Sequence, residues 1–337
     1  MRIGLIDVDN RERLHNCFPN ICLMKISAYH KSKGDTVEWV SPLFGGHYDR
    51  VYMSKVFSFS PDYEYFIDAD EIIRGGSGYA IKLVDGTEVY DKTIDHDLPT
   101  EIEHIMPDYS LYFNDDVDFD SNGKLTKLGI QHRETAYGFM SRGCPRGCAF
   151  CHVKAKEGLC SVKVADLNEF WNGQKIIELC DPNTLACKDW EDILTQLIES
   201  KAKVNFNQGL DIRMMTEQKA HMLNDIRIEA IHFAWDRWED KDLIQPKFEK
   251  FREISKVRNK DLQVYVLCNF NTTHEQDLYR VEWLKEHGFA PYVTIYNKTS
   301  LPKGHITRRL QRYVNMRATF WSIDSFEQYK NTQLERG

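Results

Sequence analysis

The sequence predicts an α/β protein in two consecutive parts. A doubly wound, flavodoxin-like front domain is followed by an open, partial (β/α)6 barrel. Three observations carry this expectation. Short apolar runs alternate with amphipathic stretches along most of the chain, the pattern of a parallel sheet covered by helices. The alternation is interrupted between Asp91 and Asn122. In the second part, polar segments fall at the ends of several expected strands, where barrels place their functional loops.

Residues 3–8 read as the first strand and 19–33 as a helix. Pro19 sits near the helix start, Gly34 just past its end, and Lys31 and Lys33 in its last turn, where cations suit the helix dipole. Residues 37–40, 51–53 and 72–73 read as short strands, and Gly75, Gly76 and Gly78 form a turn after the last of them. This is the doubly wound pattern. The stretch 91–122 is acidic, contains Pro99 and Pro107, and has little periodicity. Its Ile, Met, Tyr and Phe content is too high for disorder, so it is expected to be an ordered linker on the surface.

A second alternation begins near Ile130. One strand precedes Cys144, and others are expected at 176–179, 204–207, 228–234, 262–268 and 292–296. Helical spacing links Trp190, Ile193, Leu194, Leu197 and Ile198, and later Phe248, Phe251, Ile254 and Val257. A further helix covers 216–223. Thr273 and Gln276 form a capping box for a helix that ends at Gly288. A last helix is expected over 306–316. These features set the domain boundary at 1–128 and 129–337.

Composition narrows the function. The chain has 337 residues, is 42% hydrophobic, and has a net charge of −7. No apolar run reaches the roughly 18 residues of a membrane span, and the N-terminus lacks a basic, signal-like region. A cytoplasmic protein with no membrane partner is expected. The negative charge disfavours non-specific binding along nucleic acid, leaving that partner only a local patch. Lys303, Arg308, Arg309, Arg312 and Arg317 form such a patch, read here as a solvated helix face.

Nine cysteines without a secretory signal argue against a disulfide framework. Three are tightly spaced in Gly143-Cys144-Pro145-Arg146-Gly147-Cys148-Ala149-Phe150-Cys151. Three thiolates on one loop hold three irons of a cubane and leave the fourth open to a small molecule. The alternative is a zinc site that adds His152. Structural zinc draws ligand pairs from two knuckles, and the sequence has no second one.

The spacing Cys144-x3-Cys148-x-Phe150-Cys151 resembles the signature of the radical S-adenosylmethionine (SAM) superfamily. The resemblance implies a [4Fe-4S] cluster on Cys144, Cys148 and Cys151, with SAM on the open iron and Phe150 beside the adenine. One-electron reduction, from a flavodoxin- or ferredoxin-type donor, would cleave SAM into methionine and a 5′-deoxyadenosyl radical. Many relatives grip the SAM amino group with Gly-Gly-Glu after the second strand. This chain has Leu179-Cys180-Asp181-Pro182-Asn183 there, which makes Asp181 and Asn183 candidates. Gln208, Asp211 and Arg213 after the third strand are candidates for the SAM ribose and carboxylate, or for the substrate. Their alternative is a polar turn with an internal Asp–Arg pair. Asp236 and Asn269 end the next two strands, and Tyr296 the last. Cys160, Cys180, Cys187 and Cys268 are read as packing residues, with an auxiliary cluster or a hydrogen-atom donor as alternatives.

The whole layout resembles radical SAM enzymes with an N-terminal B12-binding-like domain. The residues behind this are 3–7, Phe18-Pro19-Asn20, Gly34-Asp35, Gly75-Gly76-Ser77-Gly78 and Pro107-Asp108-Tyr109. The Asp-x-His-x-x-Gly motif that presents histidine to cobalt is absent, so cobalamin is not expected and the front domain reads as a scaffold. Two other functions stay open: a cobalamin- or auxiliary-cluster-dependent methyltransferase or methylthiotransferase, and a non-enzymatic Fe–S carrier or sensor. No catalytic residue and no substrate is assigned.

Overall fold

The computed structural model describes residues 1–10, 18–42, 45–84 and 87–329. The chain divides into two compact units, 1–160 with 164–178, and 161–163 with 179–337.

The first unit opens with β1 (Arg2–Asp7), β2 (Thr36–Trp39), β3 (Tyr48–Ser54) and β4 (Ala69–Gly75). They form a parallel sheet in the order β2-β1-β3-β4. β1 has a neighbour on each side, and Ile3, Leu5 and Ile6 are buried. The helix Ile21–Ser32 follows, capped by Asn20, whose side chain accepts from the Leu23 N–H. It buries Leu23, Met24 and Ile26 against β1. Among the described residues, 40–42, 45–47 and 55–68 contain no helix, so the described front sheet is a reduced form of the doubly wound pattern. Periodicity could not reveal this, because the strands look the same whichever element connects them. A hairpin of β5 (Ile81–Val84) and β6 (Thr87–Tyr90) follows β4.

The acidic stretch departs from expectation in one respect. It is ordered, but it is not confined to the surface. Ile102, Leu111 and Tyr112 join Ile3, Leu5 and Leu23 in one core cluster. Fully buried Asp118 accepts from the Asn114 N–H (3.0 Å), the His132 ring (2.7 Å) and Arg133 Nε (2.6 Å). A buried carboxylate is tolerated only with such partners. The unit continues with β7 (Thr135–Gly138), β8 (Ser141–Arg142) and the cysteine loop. β10 (Ile176–Leu179) comes next, its last residue counted with the second unit, which also holds β9 (Val162–Lys163). β10 joins β7 through the Ile176 N–H and the Glu134 carbonyl, 3.0 Å apart.

The second unit contains β11 (Lys203–Phe206), β12 (Arg227–Ala234), β13 (Leu262–Cys268) and β14 (Ala290–Ile295), all parallel. The Asn207 N–H, just past β11, donates to the carbonyl of Leu179, the last residue of β10. Within this unit the strands lie in the order β14-β13-β12-β11. Helices Trp190–Ser200, Glu217–Asp225, Lys241–Ile254 and His274–Glu286 separate its strands. Behind β12, Phe233, Phe248, Phe251 and Phe289 pack edge to face, a geometry the ring quadrupoles favour. Both bonds of the Thr273–Gln276 capping box form. Among the described residues no helix is long and apolar enough to cross a membrane.

Candidate functional site

The cysteine loop is shaped by two glycines in left-handed conformations, Gly143 (φ +86°) and Gly147 (φ +57°). A Cβ at Gly143 would lie 2.1 Å from the Cys160 carbonyl oxygen, so the chain passes there only as glycine. Glu157 accepts from the Gly143 N–H (3.0 Å) and from Arg142 (3.1 Å). The Cys144 N–H bonds the Gly158 carbonyl, and the Cys151 N–H bonds that of Cys148. Cys144, Cys148, Cys151 and Phe150 are half-buried, and none of the three thiols is in a disulfide. Among the described residues, no group of three or more His, Cys, Asp or Glu is arranged as ligands of a single metal ion. A cubane makes a different demand: each thiolate takes its own iron, so the sulfurs need not converge on a point. His152 lies 3.4 Å from Glu88.

In the second unit a polar network occupies the C-terminal strand ends. Asp181 and Asn183 are each 2% exposed and Asp211 is 9% exposed. Asn183 Nδ2 lies 3.5 Å from Asp211, and Thr184 Oγ1 lies 3.3 Å from Asp181. Asp211 accepts from the Arg213 backbone N–H (3.1 Å) and Nε (2.6 Å), while Arg213 Nη1 reaches Asp240 at 2.6 Å. Arg213 is thus held between two carboxylates, the internal Asp–Arg pair weighed as the alternative. Burial pushes the Asp236 carboxyl up to about 6, although Arg280 and Arg213 pull it down. Arg213 pairs with Asp211 and Asp240, and Arg280 pairs with Asp277. Gln208 is exposed and outside these bonds. Asn269 sits at φ +64° and donates its amide to the Tyr296 carbonyl (2.9 Å), tying the ends of β13 and β14 together.

Two residues of this region were not picked out from the sequence. Arg280 is fully buried, and its guanidinium reaches the Trp235 carbonyl (2.5 Å), the Leu267 carbonyl (2.9 Å) and Asp277 (2.5 Å). It clamps the ends of β12 and β13. The available signal was an Asp and an Arg three apart on a helix, a spacing most often found on solvated faces. Asp240 is the other.

The remaining cysteines differ in setting. Cys268 is fully buried, its thiol directed at the Val266 carbonyl (3.8 Å) and pushed well up by burial. Cys187 is buried, Cys180 half-buried, and Cys160 and Cys22 exposed. Cys17 lies outside the described residues.

The first unit has a polar cluster of its own. Its sheet order switches direction between β1 and β3, the place where open parallel sheets bind ligands. Asp7, Asn20, Ser54 and Tyr112 are buried there. The Tyr112 hydroxyl donates to Asp7 (2.5 Å) and accepts from the Asn20 N–H (3.0 Å), while Asn20 Nδ2 donates to Ser54 (2.8 Å). Burial raises the Asp7 carboxyl to about 6, against the Tyr112 hydrogen bond. Asn10, 1% exposed, has a side-chain amide with no hydrogen-bond partner among the described residues on either atom.

No family model matches the sequence, and no curated protein matches it. Among solved structures, the chain is similar to the radical S-adenosylmethionine methyltransferase TsrM from Kitasatospora setae, with cobalamin and a [4Fe-4S] cluster bound. The TM-score is 0.57 at 10% identity, over 87% of this chain and 74% of that one. The likeness is one of fold.

Proposed function

We propose that this chain is a radical SAM enzyme whose [4Fe-4S] cluster is held by Cys144, Cys148 and Cys151. The observation that carries the reading is the C-x3-C-x2-C loop, held open by Gly143 and Gly147, in a chain that shares its fold with a radical SAM methyltransferase. The thiols suit iron, being soft donors outside any disulfide. When bound, the cluster would supply the one-electron reduction that cleaves SAM to methionine and a 5′-deoxyadenosyl radical, with a flavodoxin- or ferredoxin-type protein as the electron donor. Phe150 would flank the adenine. Asp181, Asn183 and Asp211 would accept hydrogen bonds from the SAM ammonium and ribose, and a carboxylate would favour that cation. Residues 1–128 serve as scaffold and 129–337 as the radical domain of a cytoplasmic enzyme.

The test is anaerobic reconstitution followed by reduction with dithionite. About four irons per chain and release of 5′-deoxyadenosine are expected, and both disappear in Cys144→Ala/Cys148→Ala/Cys151→Ala. An intact cluster that never cleaves SAM would overturn the proposal in favour of an electron carrier or sensor.

A second reading, cobalamin-dependent methyl transfer, rests on a specific observation. The buried Asn10 amide, without a hydrogen-bond partner among the described residues, follows β1 at the switch point of the front sheet, and it suits a ligand rich in amide groups. No histidine among the described residues of that cluster offers a ligand to cobalt. A stoichiometric visible chromophore retained after desalting with hydroxocobalamin supports methyl transfer. A colourless front domain leaves the first reading alone.

A further inference from the structure

In a chain with 51 acidic residues, no Asp or Glu occurs between Glu286 and Asp324. The same interval carries Lys298, Lys303, Arg308, Arg309, Arg312 and Arg317. Four of these, Lys298, Lys303, Arg308 and Arg312, line one open groove of about 470 Å³ together with Tyr292 and Met316. None of the four pairs with a carboxylate among the described residues. Elsewhere, cations such as Lys163, Arg213 and Arg258 each have an acidic partner.

The groove is built rather than incidental. Arg308 donates to the Lys298 (2.5 Å) and Leu301 (3.1 Å) carbonyls and fixes the loop before the helix Ile306–Asn315. Asn315 exchanges hydrogen bonds with the Val293 backbone (2.9 and 3.0 Å), and Gln311 donates to the same carbonyl, locking the helix along β14. Tyr292 leaves that strand with 41% of its surface exposed. Its ring meets that of Tyr265 at near right angles, and the residue lines the cationic groove.

We propose that this groove binds a single-stranded nucleic acid. Its four cations come from both the 298–303 loop and the helix Ile306–Asn315, more positive groups than a lone phosphate would use. Arg308 and Arg312 are one helical turn, about 6 Å, apart, comparable to the step between successive phosphates of an extended strand. The exposed Tyr292 ring offers the stacking platform such strands use. An anionic membrane fits less well: the apolar face of the helix, Leu310, Tyr313 and Val314, is already buried in its own core, leaving nothing to insert. The overall negative charge is no obstacle, because distant carboxylates are screened beyond about 8 Å at physiological salt. The patch therefore outweighs the bland reading of a solvated helix face. This inference goes beyond the radical chemistry and stands without it.

The test uses the full chain and fluorescein-labelled oligo(U) and oligo(dT) of about twelve nucleotides, followed by fluorescence anisotropy. Four phosphate contacts give a salt slope of about −2.8, so affinity falls about 50-fold between 50 and 200 mM salt. Lys298→Glu/Lys303→Glu/Arg312→Glu is expected to weaken binding by more than 100-fold and flatten the slope. Tyr292→Leu is expected to weaken it by about tenfold with the slope unchanged. Lys92→Glu/Lys124→Glu/Lys127→Glu changes the net charge equally on other, exposed lysines and is expected to bind like the parent. A preference for oligo(U) or oligo(dT) identifies the strand chemistry. No binding at 50 mM salt overturns the proposal, as does an equal loss in the control variant. Binding to phosphatidylserine vesicles without binding to either oligonucleotide also overturns it. Circular dichroism checks the fold of each variant. SAM cleavage, measured in parallel, is expected to be unchanged in the groove variant and separates this proposal from the radical one.

Discussion

Replacing Arg280 by methionine should destabilise the second unit more than any surface change. The guanidinium is fully buried and bonded to Asp277 and to the carbonyls of Trp235 and Leu267. Arg280→Met leaves the Asp277 carboxylate buried, 1% exposed, without its countercharge. Breaking one side of a buried pair costs about 3–5 kcal/mol, and two carbonyls lose a charged donor as well. Against a typical stability of about 5–15 kcal/mol, most of the margin is gone. The double variant Arg280→Met/Asp277→Leu removes the stranded charge and keeps only the carbonyl losses. It is expected to recover about 2 kcal/mol relative to the single variant. Urea unfolding followed by far-ultraviolet circular dichroism measures both. A double variant no more stable than the single one would refute the reasoning, because the cost would then not come from an uncompensated charge.

Two further expectations concern the first unit. The Asp7 carboxyl is raised from 3.8 to about 6, so the folded state holds its proton more tightly than the unfolded chain. Its contribution therefore weakens stability as pH rises from about 4 to 6, by about 3 kcal/mol in all. Asp7→Asn should gain on the parent across that window and stay ahead at pH 8; parallel pH profiles would show that burial of Asp7 is not the cause. Gly143→Ala places a Cβ against the Cys160 carbonyl, whereas Gly158, at φ +93°, has open space around it. Iron content after reconstitution should fall by more than half in Gly143→Ala and far less in Gly158→Ala; equal losses would mean that left-handed strain alone, about 1–2 kcal/mol, governs the loop.

The alternating pattern was legible because each strand of the second unit carries its own apolar run between caps. Thr273 and Gln276 announced their helix, and 262–268 was found residue for residue. Local chemistry also marked the cysteine loop, since its three cysteines and two glycines fall between positions 143 and 151. What stayed hidden depends on residues distant in sequence. The Arg280 clamp needs carbonyls from two strands, and carbonyls have no sequence signature. Asn269 looked like a ligand at a strand end, but its amide is directed at the Tyr296 carbonyl. Arg213 looked like an anion clamp, but Asp240, well downstream, neutralises it. The short, irregular crossovers of the front sheet escaped for a related reason, because periodicity reports strands and not what joins them.

The burial of the acidic stretch bears on the order in which the chain becomes structured. β1 leaves the ribosome first, yet the residues that cover it include Ile102, Leu111 and Tyr112, and the Tyr112 hydroxyl finds Asp7 across 105 positions. Loop-closure entropy delays contacts of that span. During synthesis, the opening strand and helix must therefore wait, with apolar surface uncovered, until the stretch beyond Asp91 has emerged. A fragment ending at the β5–β6 hairpin would carry every strand of the front sheet and still lack part of its core, making it prone to aggregate instead of folding.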